Sequence, residues 1–78
     1  MTTIEQKVID CVAQAYAVDA STLTLGTDIR KELSNVSMKL LVLISTIEDA
    51  LDVEITMTDV AQLRTIGDFA GKVAELAE

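Results

Sequence analysis

Histidine and proline are absent from this chain of 78 residues, which also has only one cysteine and three glycines. Without histidine the chain lacks the commonest general base, the Ser–His and Cys–His nucleophile pairs, and the commonest zinc ligand. A single cysteine forms no internal disulfide, as is usual in the reducing cytoplasm. We therefore expect a cytoplasmic protein that has no catalytic residues and is not an enzyme.

Aromatic residues are also scarce, since Tyr16 and Phe69 stand alone and there is no tryptophan. Half of the residues are hydrophobic, which is ample for folding. Because so few of them are aromatic, the core must be aliphatic. A chain rich in Ala, Leu, Val and Ile that lacks proline favours helices over a sheet of tight hairpins. Its length predicts one domain over residues 1–78 with a single small core.

The chain contains few positively charged residues. Thirteen acidic residues against six basic ones give a net charge of −7, which argues against nucleic-acid and anionic-membrane binding. The longest apolar run, Leu40–Ile44, is far too short to insert into a bilayer. Residues 1–5 do not resemble the start of a signal peptide. The charge fits protein partners that carry basic patches.

The spacing of apolar residues predicts four helices. They run from Thr2 or Thr3 to about Tyr16, from about Ser37 to Leu51, from a cap at Thr58 to Leu63, and onward from a cap at Thr65. We predict an all-α fold, a four-helix bundle with a long first loop and a short third helix. A loop as long as residues 17–36 needs anchoring, for which it offers Leu23, Leu25, Ile29 and Leu33.

The second predicted helix has two distinct faces at about 100° per residue. The inward face is aliphatic: Leu40, Leu43, Ile44, Ile47 and Leu51. The outward face contains Lys39, Val42, Ser45, Thr46 and Asp49. Met38 and Val42 are therefore predicted to be apolar residues on the outer surface, next to the start of the helix.

Other candidate sites have simpler interpretations. Cys11 lies on the apolar face of the first helix, where a small buried hydrophobe is expected rather than a reactive thiol. Asp49, Asp52 and Glu54 lack the spacing and glycine of a calcium-binding loop, so they are interpreted as a solvated acidic face. No metal site is predicted.

Three segments carry a family resemblance. Residues 32–38, ELSNVSM, are similar to the acidic-Leu-Gly-x-Asp-Ser-Leu segment of the acyl carrier protein family, which includes peptidyl carrier domains. Residues 47–55, IEDALDVEI, match the end of that family's second helix at the same distance, and residues 65–69, TIGDF, resemble the start of its last helix. The resemblance spans essentially the whole chain.

The resemblance implies that Ser37 carries 4′-phosphopantetheine, taken from coenzyme A by a phosphopantetheinyl transferase. The physics of a helix start agrees, because unpaired backbone N–H groups and the positive end of the dipole favour a phosphodiester. The alternative is that Ser37 is a plain helix-capping residue. Ser34, in the loop, and Ser45, in mid-helix, are poorer candidates.

The segment also departs from the family pattern. Val36 replaces the usual Asp before the serine and cannot cap the helix, although Asn35 could do so instead. Ser34 replaces a glycine and Met38 a leucine, both mild changes. Lys39 and Val42 stand where acids are common in the family, so the predicted docking face is less negative and more apolar.

The first hypothesis is a specialised acyl carrier that presents acyl thioesters for fatty-acid, lipid or polyketide biosynthesis. We expect a monomer whose Met38, Lys39, Val42 and Asp49 contact synthases and acyl-transferring enzymes other than those of a housekeeping fatty-acid carrier. A second hypothesis is an unmodified helical module that acts only in protein interaction, suggested by Val36 and the exposed apolar residues. A third is an aminoacyl or peptidyl carrier, which differs only in cargo.

Overall fold

The computed structural model describes residues 3–33 and 37–77, and of Ser37 the backbone only. The four α-helices are α1 (Thr3–Tyr16), α2 (Ser37–Leu51), α3 (Met57–Ala61) and α4 (Ile66–Leu76). Between α1 and α2 lie a 3-10 turn, Ala20–Thr22, and a π-helical turn, Ile29–Leu33. The predicted all-α bundle with a long first loop and a short third helix is confirmed, and α2 has the predicted bounds.

One aliphatic core joins all four helices, and α1 packs against both α2 and α4. The largest fully buried side chains are Phe69, Ile29, Leu43, Ile47, Ile66, Val8, Val12, Val60 and Val73. The predicted inward face of α2 is confirmed, because its three central members are buried and Leu40 and Leu51 pack against the core from its edge. Burial of these apolar side chains supplies the main stabilising free energy.

The predicted boundaries of α3 were wrong. Thr56, not Thr58, is the N-cap, because its hydroxyl accepts from the Asp59 N–H at 3.1 Å while the Asp59 carboxylate accepts from the Thr56 N–H. The α-helix ends at Ala61, and i→i−3 bonds continue the turn to Leu63. The possible cap of α1 at Thr2 lies outside the described residues.

The long loop is anchored as predicted. Leu23 and Ile29 are buried, and Leu25 and Leu33 pack partly against the core. Asp19 caps the 3-10 turn, where its carboxylate accepts from the Ser21 N–H at 2.9 Å. Hydrogen bonds within the two turns satisfy part of the loop's own backbone N–H and C=O groups, which lets a connection of this length lie on the bundle.

The middle of the loop pairs with the start of α4. Ile66 N–H donates to the Thr27 carbonyl at 3.1 Å, and Ile29 N–H donates to the Arg64 carbonyl at 3.0 Å, which forms an antiparallel bridge. Gly67 N–H donates to the Leu25 carbonyl at 2.8 Å. A Cβ on Gly67 would lie 3.0 Å from that carbonyl oxygen, so any other residue here would need the loop backbone to move by a few tenths of an ångström.

The C-terminus of α1 is closed by a left-handed residue. Ala17 has a φ of 55°, and the following N–H of Val18 donates to the Ala13 carbonyl at 3.0 Å. This is the pattern in which glycine usually occupies the position after the helix, because a Cβ is strained in that conformation. Asp52 after α2 has a similar φ of 52°.

We predict that Ala17→Gly stabilises the protein by about 0.5–1 kcal/mol, because relief of Cβ strain exceeds the added chain entropy of glycine. Urea unfolding monitored by circular dichroism measures it. Ala15→Gly, the same change inside α1, should destabilise by about 1 kcal/mol. A loss of stability in Ala17→Gly would contradict the prediction.

A capping box begins α4, as the sequence predicted for Thr65. The Thr65 hydroxyl accepts from the Asp68 N–H at 3.0 Å. In return the Asp68 carboxylate accepts from the N–H groups of Thr65 and Arg64, each at 3.1 Å. These backbone hydrogen bonds favour the ionised carboxylate and hold the pKa of Asp68 below its usual 3.8.

The Asp68 cap should therefore make the free energy of unfolding depend on pH in the acidic range. Because its pKa is lower in the folded state, its stabilising contribution is full above the unfolded-state pKa of 3.8 and is lost as pH falls through the folded value. We expect the free energy of unfolding to fall less between about pH 5 and pH 2 in Asp68→Asn than in the wild type. Urea titrations across that range test this, and equal slopes would refute it.

Candidate attachment site and docking face

The start of α2 offers a suitable place for a phosphodiester. The helix begins at Ser37 and runs for 15 residues, so its first N–H groups have no partner within the helix. Its first turn contains no acidic residue, and Lys39 is its third residue. Unpaired amides, the positive helix end and a nearby ammonium group all favour an anionic group attached here.

Ser34, Asn35 and Val36 lie outside the described residues, and so does the side chain of Ser37. The predicted attachment at Ser37 and the predicted capping by Asn35 therefore remain predictions.

The predicted outward face of α2 is exposed. The exposed fraction is 67% for Met38 and 45% for Val42, and Lys39 and Asp49 are exposed as well. The structure thus brings these four predicted docking residues onto one helix surface. Their role in docking remains a prediction.

Leu41 is a member of this surface that the sequence analysis missed. Its exposed fraction is 46%, although it lies within the longest apolar run of the chain. At about 100° per residue, Leu41 lies about 60° around the helix from Met38. This angle was the sequence signal that could have predicted its exposure. Thr46, predicted to face outward, is half-buried, and its hydroxyl donates to the Val42 carbonyl at 2.7 Å.

A buried tyrosine, Tyr16, lies near the side chain of Lys39 in the first turn of α2. The Tyr16 side chain is 4% exposed, and its hydroxyl has no hydrogen-bond partner among the described residues. The Lys39 ammonium lies 6.0 Å from the centre of the Tyr16 ring, at the outer range of a cation–π contact. Burial raises the pKa of Tyr16, and the nearby Arg30 guanidinium partly opposes this shift.

We predict that Tyr16→Phe raises the free energy of unfolding by about 1 kcal/mol, because it removes a buried hydroxyl that lacks a partner. Thermal unfolding of both proteins measures the change. Tyr16→Leu also removes the hydroxyl but loses the ring and its contact with Lys39, so this control should be less stable than Tyr16→Phe. If Tyr16→Phe were destabilising, the hydroxyl would have a bound partner.

An open groove between α1 and α2 lies beside Asp49. Its volume is about 510 Å³, and it is lined by Gln14, Ser45, Thr46, Asp49 and Ala50. Four of these side chains are polar and can accept hydrogen bonds. The groove therefore presents hydrogen-bonding groups as well as apolar surface.

The remaining chemical candidates are structural. Cys11 is buried, and burial raises the pKa of its thiol, which keeps it protonated and confirms the expected small hydrophobe. Asp49, Asp52 and Glu54 are exposed. Within residues 3–33 and 37–77, no three acidic or cysteine side chains are grouped to hold a metal ion. In the same ranges, no helix has the length and apolar character to cross a membrane.

Comparison with known proteins gives a consistent result. Residues 6–73 match the family described as "Phosphopantetheine attachment site". The chain is 33% identical over 66 residues to an acyl carrier protein of Chlamydia caviae, an alignment that covers 85% of this chain and 86% of that protein. It is 28% identical over 72 residues to an acyl carrier protein of Syntrophobacter fumaroxidans, with 92% and 89% covered. The chain therefore belongs to the acyl carrier protein family, whose prosthetic group is a covalently attached 4′-phosphopantetheine.

Proposed function

We propose that Ser37 is the attachment residue and that the protein presents acyl chains to the synthases and acyl-transferring enzymes of fatty-acid, lipid or polyketide biosynthesis. The observation that carries this proposal is the start of α2 at Ser37, within the region that matches the family. A phosphopantetheinyl transferase would install the group from coenzyme A. We also propose that residues 1–78 form one domain that acts as a monomer in the cytoplasm.

The chain's own residues hold and orient the arm rather than react. When attached, the group supplies a terminal thiol on which acyl chains are held as thioesters. The unpaired N–H groups of the first turn of α2 would bind the phosphodiester oxygens, and Lys39 would add positive charge. An attachment point at a loop–helix junction leaves the arm free to reach several enzymes in turn.

The exposed face of α2 is the proposed contact for those enzymes. Met38 and Val42 offer apolar area next to the attachment residue, and Lys39 and Asp49 offer charge. All four lie outside the core, so they can be substituted without disturbing the packing of the bundle.

The test is the intact mass of the protein before and after incubation with coenzyme A and a broad-specificity phosphopantetheinyl transferase. We expect the wild type to gain the mass of one phosphopantetheine and Ser37→Ala to gain none. Ser34→Ala and Ser45→Ala are matched controls and should be modified as fully as the wild type. Modification of Ser37→Ala would show that another residue carries the group.

Protein from its native source separates the two remaining candidates. An unmodified mass, together with a stable dimer that buries Met38 and Val42, would favour the interaction module suggested by these exposed residues. An aminoacyl or peptidyl group on the arm would identify the protein as a carrier of amino acids. Either result would overturn the proposal of an acyl carrier.

A further inference from the structure

The hydroxyl of Tyr16 needs an acceptor that the core does not supply. The side chain is 4% exposed, and among the described residues its hydroxyl has no hydrogen-bond partner. Buried hydroxyls usually have a partner, because an unsatisfied donor costs free energy. Tyr16 belongs to the core cluster, whose other members are apolar side chains that offer no strong acceptor. An acceptor for this hydroxyl must therefore come from outside the core.

The tyrosine lies toward the end of the bundle at which α2 begins. Tyr16 is the last residue of α1, and the centre of its ring is 6.0 Å from the Lys39 ammonium. Lys39 is the third residue of α2, and helical side chains lean toward the N-terminus of their own helix. The ammonium group and the ring near it therefore lie toward the helix end that begins at Ser37, where the first amides are unpaired.

Positive charge is available at this end of α2. Among the described residues, the ion pairs within 4.0 Å have only Arg64 and Lys72 as cations, so no carboxylate there neutralises Lys39. The first turn of α2 contains no acidic residue. An anion at the helix start would therefore meet the ammonium group without a competing acid on the same turn.

The π-helical turn before α2 adds to this effect. The Arg30 guanidinium donates to the Val60 carbonyl at 3.2 Å, and its positive charge partly opposes the rise in the pKa of Tyr16. The carboxylate of Glu32, in the same turn, accepts from the Asp28 N–H at 2.6 Å. The acid of this turn is thus engaged within the loop, and the charge that acts on the tyrosine is positive.

We propose that the Tyr16 hydroxyl donates a hydrogen bond to a phosphodiester oxygen of the prosthetic group and that Lys39 pairs with the same anion. Tyr16 is then a positioning residue that holds the base of the arm against the end of α1. This inference rests on the proposed attachment at Ser37 and adds a contact outside α2. The hydroxyl is closed to solvent, so a side chain must move to admit the anion. Lys39 is exposed and has a long flexible stem, which lets it move from the ring to the anion.

The experiment compares the melting temperatures of Tyr16→Phe and the wild type in two forms, unmodified and loaded with phosphopantetheine. In the unmodified form the variant should melt about 4–8 °C higher, because it lacks a buried hydroxyl without a partner. In the loaded form the variant should melt no higher than the wild type, because the arm gives the wild-type hydroxyl an acceptor. Comparing the two forms separates the contact with the arm from any effect of the ring itself.

Phosphorus NMR of the loaded proteins gives a second readout. The phosphodiester resonance should move in Tyr16→Phe and in Lys39→Gln, and Lys39→Arg should give the wild-type resonance. Lys7→Gln is the matched control, since it removes the same charge from an exposed position on α1. Lys7 lies about 14 Å along the helix from Tyr16 at 1.5 Å per residue, so this variant should leave the resonance in place.

Three results would overturn the inference. Tyr16→Phe could stabilise the loaded form as much as the unmodified form, which would show that the arm leaves the hydroxyl without a partner. It could destabilise both forms equally, which would give the hydroxyl a partner that is independent of the arm. Inorganic phosphate could remove the variant's advantage in the unmodified form while loading does not, which would make the ligand a free anion.

Failure of this inference is distinguishable from failure of the carrier proposal. Intact mass shows whether Ser37 is loaded before any melting temperatures are compared. A wild type that gains no phosphopantetheine overturns both proposals. A loaded wild type that melts below loaded Tyr16→Phe overturns only the contact with the tyrosine.

Discussion

The pairing between the long loop and the start of α4 is the constraint on which the rest of the structure depends. Three backbone hydrogen bonds of 2.8–3.1 Å join residues 25–29 to residues 64–67, and they bring Ile29 into the core. Without them, a connection of this length would have to be ordered by its few apolar anchors and its local turns, against a large conformational entropy. The pairing thereby positions the π-helical turn that leads toward α2.

The packing of α2 explains how a small aliphatic bundle presents an exposed helix start. The buried faces of α1, α2 and α4 hold α2 rigidly, so its first turn is presented from a fixed element while its outer face stays in solvent. The amides of that first turn need no side chain to attract an anion. An acyl carrier therefore requires little more than a serine at the correct helix start and a stable helix behind it.

The charge distribution of this member of the family differs from what its net charge suggests. A net charge of −7 favours long-range attraction to basic proteins, yet the outer face of α2 nearest the proposed attachment residue presents apolar side chains and Lys39. Long-range steering and short-range fit can thus act on different parts of the same partner. Tyr16 gives the Lys39 ammonium group an aromatic surface to lie near.

Local signals in the sequence determined the helices, the bounds of α2, the cap of α4 and the two faces of α2, because helical periodicity and capping residues act over a few neighbours. They misplaced the cap of α3, since Thr56 and Thr58 are both plausible caps and only the reciprocal bonds with Asp59 distinguish them. Tertiary structure alone decided the loop pairing, the proximity of Tyr16 and Lys39, and the groove beside Asp49. Each of these joins residues far apart in the chain, and no periodicity within one segment encodes such contacts.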